Sequence, residues 1–218
     1  MASSVSSLPT IHVTASKLST TAVSLSKPAS SDPVTLTLTL ILRSATTAMT
    51  VYASRSLFAT TQKYGSSFYY LQNTDTGASL HSSYAHLLRT PYKQIDLDSG
   101  EFLTLYPDQP VEHQIQLGLF ARAPPPRMEE KDHGRLRTLC GSHLSHLEAG
   151  ATYRILHRSQ DGSFGLDWWM PGDKEEMERR CGGDGQRKFN IELVLGVMRT
   201  RPQIDWEVGE EAKIKILE

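Results

Sequence analysis

The sequence predicts an all-β protein, an antiparallel β-sandwich that carries long loop insertions. Three observations lead to this prediction. Apolar and polar residues alternate in many short segments, turn residues such as glycine separate those segments, and no long amphipathic helix interrupts them. Short antiparallel strands without helical crossovers favour a sandwich over a parallel α/β sheet.

The clearest strand is the segment 34–40, which reads Val-Thr-Leu-Thr-Leu-Thr-Leu. In a strand, successive side chains point to opposite faces, so the leucines share one face and the threonines the other. Threonine and valine also favour the pleated surface, whereas a helix would spread these leucines around its circumference. The segment is therefore predicted to be a half-buried strand.

The same alternation recurs from one end of the chain to the other. It is found in segments 10–14, 50–52, 111–117, 152–157, 189–193, 203–208 and 213–216. Two turns agree with it: Asp75-Thr76-Gly77 supplies a glycine for the positive-φ position of a hairpin, and Asp161-Gly162 forms a second turn. One fold type is therefore expected throughout.

We predict a disordered N-terminus over 1–8 and a single β-sandwich domain over 9–218. Three long loops are expected, at 17–31, 121–147 and 171–188. The second opens with Pro124, Pro125 and Pro126, which cannot donate to a ladder, and the third has enough helix-forming residues for one or two helical turns. Long loops on a regular frame often carry function, so the second and third are the places where we expect it.

Several motifs resemble those of small, uncharacterised proteins of filamentous fungi. They are Pro9 to Ala15, Pro33 to Thr39, Asp75-Thr76-Gly77, Phe102 to Pro107, Gly150 to Tyr153 and Trp168-Trp169. The resemblance covers most of the chain and implies an immunoglobulin-like sandwich, with no assigned activity. A Leu-x-Pro-Gly turn is expected after Leu103 from this resemblance, but the chain reads Leu105-Tyr106-Pro107-Asp108 there.

Composition narrows the classes of partner. The chain has 23 Lys and Arg against 24 Asp and Glu, a net charge of −1, which removes a general attraction to nucleic acid or anionic lipid. Residues 1–9 lack the apolar run of a secretory signal, and no segment is long enough for a membrane helix. We therefore expect a cytoplasmic protein whose partner is another protein, with neither nucleic acid nor membrane as a partner.

One set of residues suggests a metal site. Cys140, His143 and His146 share a loop, and Cys181 lies in another; thiolates and imidazoles in a four-ligand set suit zinc. The spacing departs from known zinc motifs, which pair two cysteines closely. The alternatives are a polar loop without a ligand and, from Cys140 beside His143, a reactive thiol.

Trp168 and Trp169 are the aromatic pair most open to a functional interpretation. Adjacent strand residues point to opposite faces, so one tryptophan could stack on a sugar ring or anchor a partner. The alternative is that one fills the core and a long loop covers the other.

No common catalytic motif is present, so we predict a protein that is not an enzyme. The leading hypothesis is an interaction or scaffold domain that acts through its long loops. Its alternatives are a carbohydrate-binding module using Trp168 or Trp169 and a zinc-binding protein or enzyme; apart from that zinc, no cofactor is expected.

Overall fold

A computed structural model of the chain describes residues 9–24, 34–62, 69–80, 94–97, 101–117, 147–157, 169–181, 188–190 and 202–218. The all-β class is confirmed, since these residues lie mostly in strands and form one short helix. The strands are β1 Thr10–Leu18, β2 Ala22–Ser24, β3 Val34–Arg43, β4 Met49–Tyr52, β5 Thr61–Gln62, β6 Tyr69–Asn73, β7 Ser79–Leu80, β8 Gln94–Asp96, β9 Phe102–Leu105, β10 Pro110–Leu117, β11 Thr152–His157, β12 Trp169–Pro171, β13 Lys188–Asn190, β14 Gln203–Val208 and β15 Lys213–Leu217. The helix α1 is Lys174–Cys181, and 3₁₀ turns lie at Ala53–Arg55 and Glu210–Ala212.

Two five-stranded sheets form the body of the described protein. Sheet 1 has the order β14-β1-β3-β10-β5, and sheet 2 has the order β2-β15-β11-β6-β7. One apolar core contains buried side chains of both sheets, from Ile11 in β1 to Ile216 in β15. A smaller sheet 3 has the order β12-β4-β9, and β13 pairs with β8.

Strand β3 is central in sheet 1, and its alternation is as predicted. Val34, Leu36, Leu38, Leu40 and Leu42 are buried, and the residues between them are half-buried on the outer face. The four leucines are fully buried. Because each buried leucine removes apolar surface from water, this stripe joins β3 to the core.

Strand β1 is longer than the sequence predicts, and the loop expected over 17–31 is wrong at its beginning. A bulge between Ala15 and Lys17 shifts the register against β3, so that Lys17 is exposed while Leu18 is buried. The extra residue breaks the alternation in sequence without ending the strand. Ala22–Ser24 then form β2, and residues 25–31 lie outside the described ranges.

The prediction of an antiparallel sandwich is also wrong for three strand pairs. β1 pairs with β14, β10 with β5, and β15 with β2, all in parallel. Tight hairpins force neighbouring strands to be antiparallel, but these partners are distant in sequence, so nothing local sets their direction. The first and next-to-last described strands thereby become neighbours at one edge of sheet 1.

The segment predicted as a loop over 171–188 contains regular structure at three places. Pro171 ends β12, the expected helical turns form α1, and Lys188 begins β13. Asp173 caps the helix, since its carboxylate accepts the N–H of Glu176 at 2.8 Å. Within the segment 121–147, the described residue is Leu147; residues 1–8 and the Asp161-Gly162 turn lie outside the described ranges.

The predicted hairpin at Gly77 is confirmed. Strands β6 and β7 pair in antiparallel fashion, and Gly77 has a φ of 71°, a conformation that glycine adopts without steric cost. The side-chain oxygen of Asn73 accepts the N–H groups of Asp75 at 2.9 Å and Thr76 at 3.1 Å. The turn is therefore held by a side chain as well as by its backbone.

Candidate functional site

The predicted zinc ligands are not brought together by any described contact. Cys140, His143 and His146 lie outside the described ranges, and Cys181 is the last residue of α1 with its side chain outside the description. In the described ranges, no group of three or more His, Cys, Asp or Glu side chains is arranged to hold a metal ion. The zinc site stays a prediction about the remaining residues.

Trp169 lies in β12 and is only 9 % exposed, within the core. β12 pairs with β4, which places Trp169 beside Val51. A side chain so covered offers no open platform for a sugar ring in this arrangement. The carbohydrate hypothesis then depends on Trp168, which lies outside the described ranges.

A charged cluster on the outer face of sheet 1 was not predicted from the sequence. Nδ1 of His12 lies 2.8 Å from a carboxylate oxygen of Asp205, and Nε2 lies 3.6 Å from one of Glu207. We call these three residues the outer charged cluster. The alternation in β1 and β14 indicates that each side chain points outward, but the parallel pairing that makes them neighbours was not predicted.

The local structure explains why the outer charged cluster is exposed. In β1, Ile11 and Val13 flank His12 and are buried, so His12 must point to the other face. In β14, Trp206 is half-buried, while the side chains of Asp205 and Glu207 are 61 % and 67 % exposed. The carboxylates therefore stay in water and can meet a charged partner.

Both ring nitrogens of His12 face carboxylates, which limits its ability to act as a general base. A general base needs a free nitrogen within about 2.6–3.2 Å of the proton that it removes. Here Nδ1 is hydrogen-bonded to Asp205 and Nε2 lies beside Glu207. The arrangement suits charge recognition at a surface better than proton transfer to a substrate.

An aromatic cluster lies on the opposite, inner side of β14. The ring of Trp206 stacks on His157 of β11, with 5.1 Å between centroids and 12° between planes, and lies 5.8 Å from the ring of Tyr69. We call Tyr69, His157 and Trp206 the inner aromatic cluster. It joins the edge of sheet 1 to strands β11 and β6 of sheet 2.

Burial changes the ionisation of two members of the inner aromatic cluster. Desolvation lowers the pKa of the His157 imidazole from 6.5 to about 4, because a charged ring would lose its hydration there. Burial raises the pKa of the Tyr69 hydroxyl well above its usual value of 10.0, and this hydroxyl donates to the carbonyl oxygen of Leu57. Both side chains are thus neutral at pH 7 and act as core residues.

Among the residues that the structure describes, no helix combines the length and apolar composition needed to span a bilayer.

Comparisons with known proteins give no relative from which a role could be taken. Searches of protein-family models, of curated proteins and of solved structures found no match to this chain.

Proposed function

We propose that this chain is a non-catalytic interaction domain that binds another protein through the long connections of an immunoglobulin-like β-sandwich. The connections are the segments 121–147 and 171–188. Two facing sheets around one core support the immunoglobulin-like part of the proposal. Such frames commonly hold binding segments between their strands.

The observation that carries the proposal is how the connection between β10 and β11 is anchored. It leaves sheet 1 at Leu117, which is 1 % exposed, and rejoins the described chain at Leu147, which is 7 % exposed. Near that second end, the N–H of Glu148 donates to the hydroxyl of Tyr153 and the N–H of Gly150 to the carbonyl of Ile216. Both ends of a long connection are thus held by the rigid core.

The second connection carries a short charged helix. Met177 of α1 is fully buried, whereas Lys174 and Glu178 form an exposed pair at 3.8 Å and Glu176 pairs with Arg180. The apolar residue fixes the helix to the body, and the charged residues face solvent. Charged groups on a fixed helix suit recognition of a protein surface.

The experiment compares binding partners of the whole chain and of two replacement variants. Residues 121–146 are replaced by a short glycine–serine linker in one variant, and residues 63–68 in the control. We expect a protein recovered by cross-linking and mass spectrometry with the whole chain and the control, and absent with the first variant. Identical partner sets for all three folded proteins would contradict the proposal.

A further inference from the structure

Strand β14 is the longest edge strand among those that the structure describes. It has six residues, while the edge strands β2, β5, β7, β9 and β12 have two to four. Natural proteins usually shorten an edge, cover it with a helix or loop, or guard it with charged side chains, proline or a bulge. β14 contains no proline, and its charged residues point outward.

The peptide groups of β14 alternate between two directions. The N–H of Gln203 donates to the carbonyl of Pro9 at 3.0 Å, and that of Gly209 to the carbonyl of Ala15 at 2.8 Å. Because these odd-numbered residues face β1, the alternation of the pleated backbone turns the peptide groups of Ile204, Trp206 and Val208 the other way. No described strand pairs with that side of β14.

The side chains of β14 also differ between its two faces. Ile204, Trp206 and Val208 are half-buried and pack against the core, so part of each apolar side chain still meets water. Asp205 and Glu207 are exposed on the outer face. An added strand would therefore meet apolar residues on one face and carboxylates on the other.

The charge around this edge is negative. Asp205 and Glu207 are followed by Glu210 and Glu211, while the described positive groups nearby include Lys213, which binds Glu210 at 2.6 Å, Lys17 after the bulge in β1, and His12 if protonated. A second copy of β14 would bring like charges together, which disfavours self-pairing. A basic strand would find complementary charge.

We infer that the edge of β14 that pairs with no described strand binds an extended segment of another protein in which apolar residues alternate with lysine or arginine. The segment would add as a further strand to sheet 1, a mode in which the backbone gives affinity and alternate side chains give specificity. The inference rests on the proposed function in taking a protein as the partner, but it locates the contact on β14.

The test uses a fluorescein-labelled peptide of alternating lysine and valine, with three of each. Two control peptides carry the same side chains: in one the lysines and valines form separate blocks, and in the other the order is unchanged but the backbone is N-methylated. Fluorescence anisotropy with the whole chain should show the alternating peptide binding at least about tenfold more tightly than either control. Equal affinity for the three peptides would overturn the inference.

Variants of the protein test the charges and the backbone separately. The double substitution Asp205→Lys and Glu207→Lys should weaken binding at least about tenfold, while Glu112→Lys on the same outer face should change it less than about twofold. Val208→Pro removes an N–H from this edge and should also weaken binding. Equal weakening by Glu112→Lys and by the double variant would contradict the proposed location.

Amide chemical shifts of the unmodified protein keep the inference testable if a variant does not fold. Shifts that move at Ile204, Trp206 and Val208 on peptide addition would support it, and shifts confined to other strands would overturn it. A dimer of the unmodified protein that is lost in the Asp205→Lys and Glu207→Lys double variant would identify a second copy as the occupant and overturn the inference. Protection of these three amides from hydrogen exchange in the free monomer would do the same, since the chain itself would then cover the edge.

The linker variant of 121–146 separates this inference from the proposed function. It should bind the peptide as tightly as the whole chain does. Loss of a protein partner in that variant, without selective peptide binding in any protein, would leave the proposed function standing and overturn the inference. Selective peptide binding with unchanged protein partners would support the inference and contradict the proposed function.

Discussion

The outer charged cluster and the inner aromatic cluster share strand β14 but lie on its opposite faces. His12, in the outer cluster, is hydrogen-bonded to Asp205 and faces water, whereas His157, in the inner cluster, is 4 % exposed and stacked on Trp206. Asp205 and Trp206, adjacent residues of β14, thus face water of high dielectric and a core of low dielectric, respectively. Substitutions on the inner face should therefore act on stability, and those on the outer face mainly on recognition.

The largest effect is expected for Leu38→Ala on the inner face of β3. Leu38 is fully buried, and its truncation leaves a cavity, so the free energy of unfolding should fall by about 3 kcal/mol. Thr39→Ala on the outer face is the control and should cost less than about 1 kcal/mol. Urea unfolding measures both, and equal losses would contradict the division into two faces.

A pH effect of similar size is expected from His157. Its pKa is about 4 in the folded protein against 6.5 for an ordinary histidine, so the unfolded chain takes up a proton between these values that the folded chain does not. This group should therefore lower the free energy of unfolding as pH falls from 6.5 to about 4, by about 3 kcal/mol in total. Below pH 4 its contribution should fall no further.

Urea unfolding at a series of pH values, with His157→Gln as the test variant, measures this contribution. The variant should lose the part of the pH dependence that belongs to the buried ring. His12→Gln should retain it, because His12 is on the outer face. A His157→Gln protein with an unchanged pH profile would show that the inner ring does not carry the effect.

A smaller effect is expected for Tyr69→Phe. The substitution keeps the buried ring and removes the hydroxyl that donates to the carbonyl of Leu57, which should cost about 1–2 kcal/mol. Tyr106→Phe is the matched control, since Tyr106 is 43 % exposed. Thermal unfolding should separate the two variants, and equal melting temperatures would count against a stabilising hydrogen bond.

The smallest effect on stability is expected for Asp205→Asn in the outer charged cluster. Asp205 is 61 % exposed, and exposed ion pairs contribute less than about 1 kcal/mol. The loss should shrink further at high salt, because mobile ions screen charges that lie in water. A loss above about 2 kcal/mol in urea unfolding would mean that the outer charged cluster stabilises the fold.

The sequence by itself determined the all-β class, the buried face of segment 34–40, and where a turn needs glycine. Alternation in β3 predicted the buried leucines, and Asp75-Thr76-Gly77 predicted the hairpin, because pleat and turn geometry depend on neighbouring residues alone. The same reasoning failed at the bulge after Ala15, since one inserted residue breaks the period while the strand continues.

Only the tertiary structure decided which strands distant in sequence became neighbours. β1 and β14 are separated by most of the chain, and no local rule brings His12 to Asp205 or sets the parallel direction of that pair. The same non-local pairing placed Trp206 against His157 and left β14 at the edge of sheet 1. Strand pairing depends on the competition of all strands for the available edges, and a single sequence pattern does not contain that information.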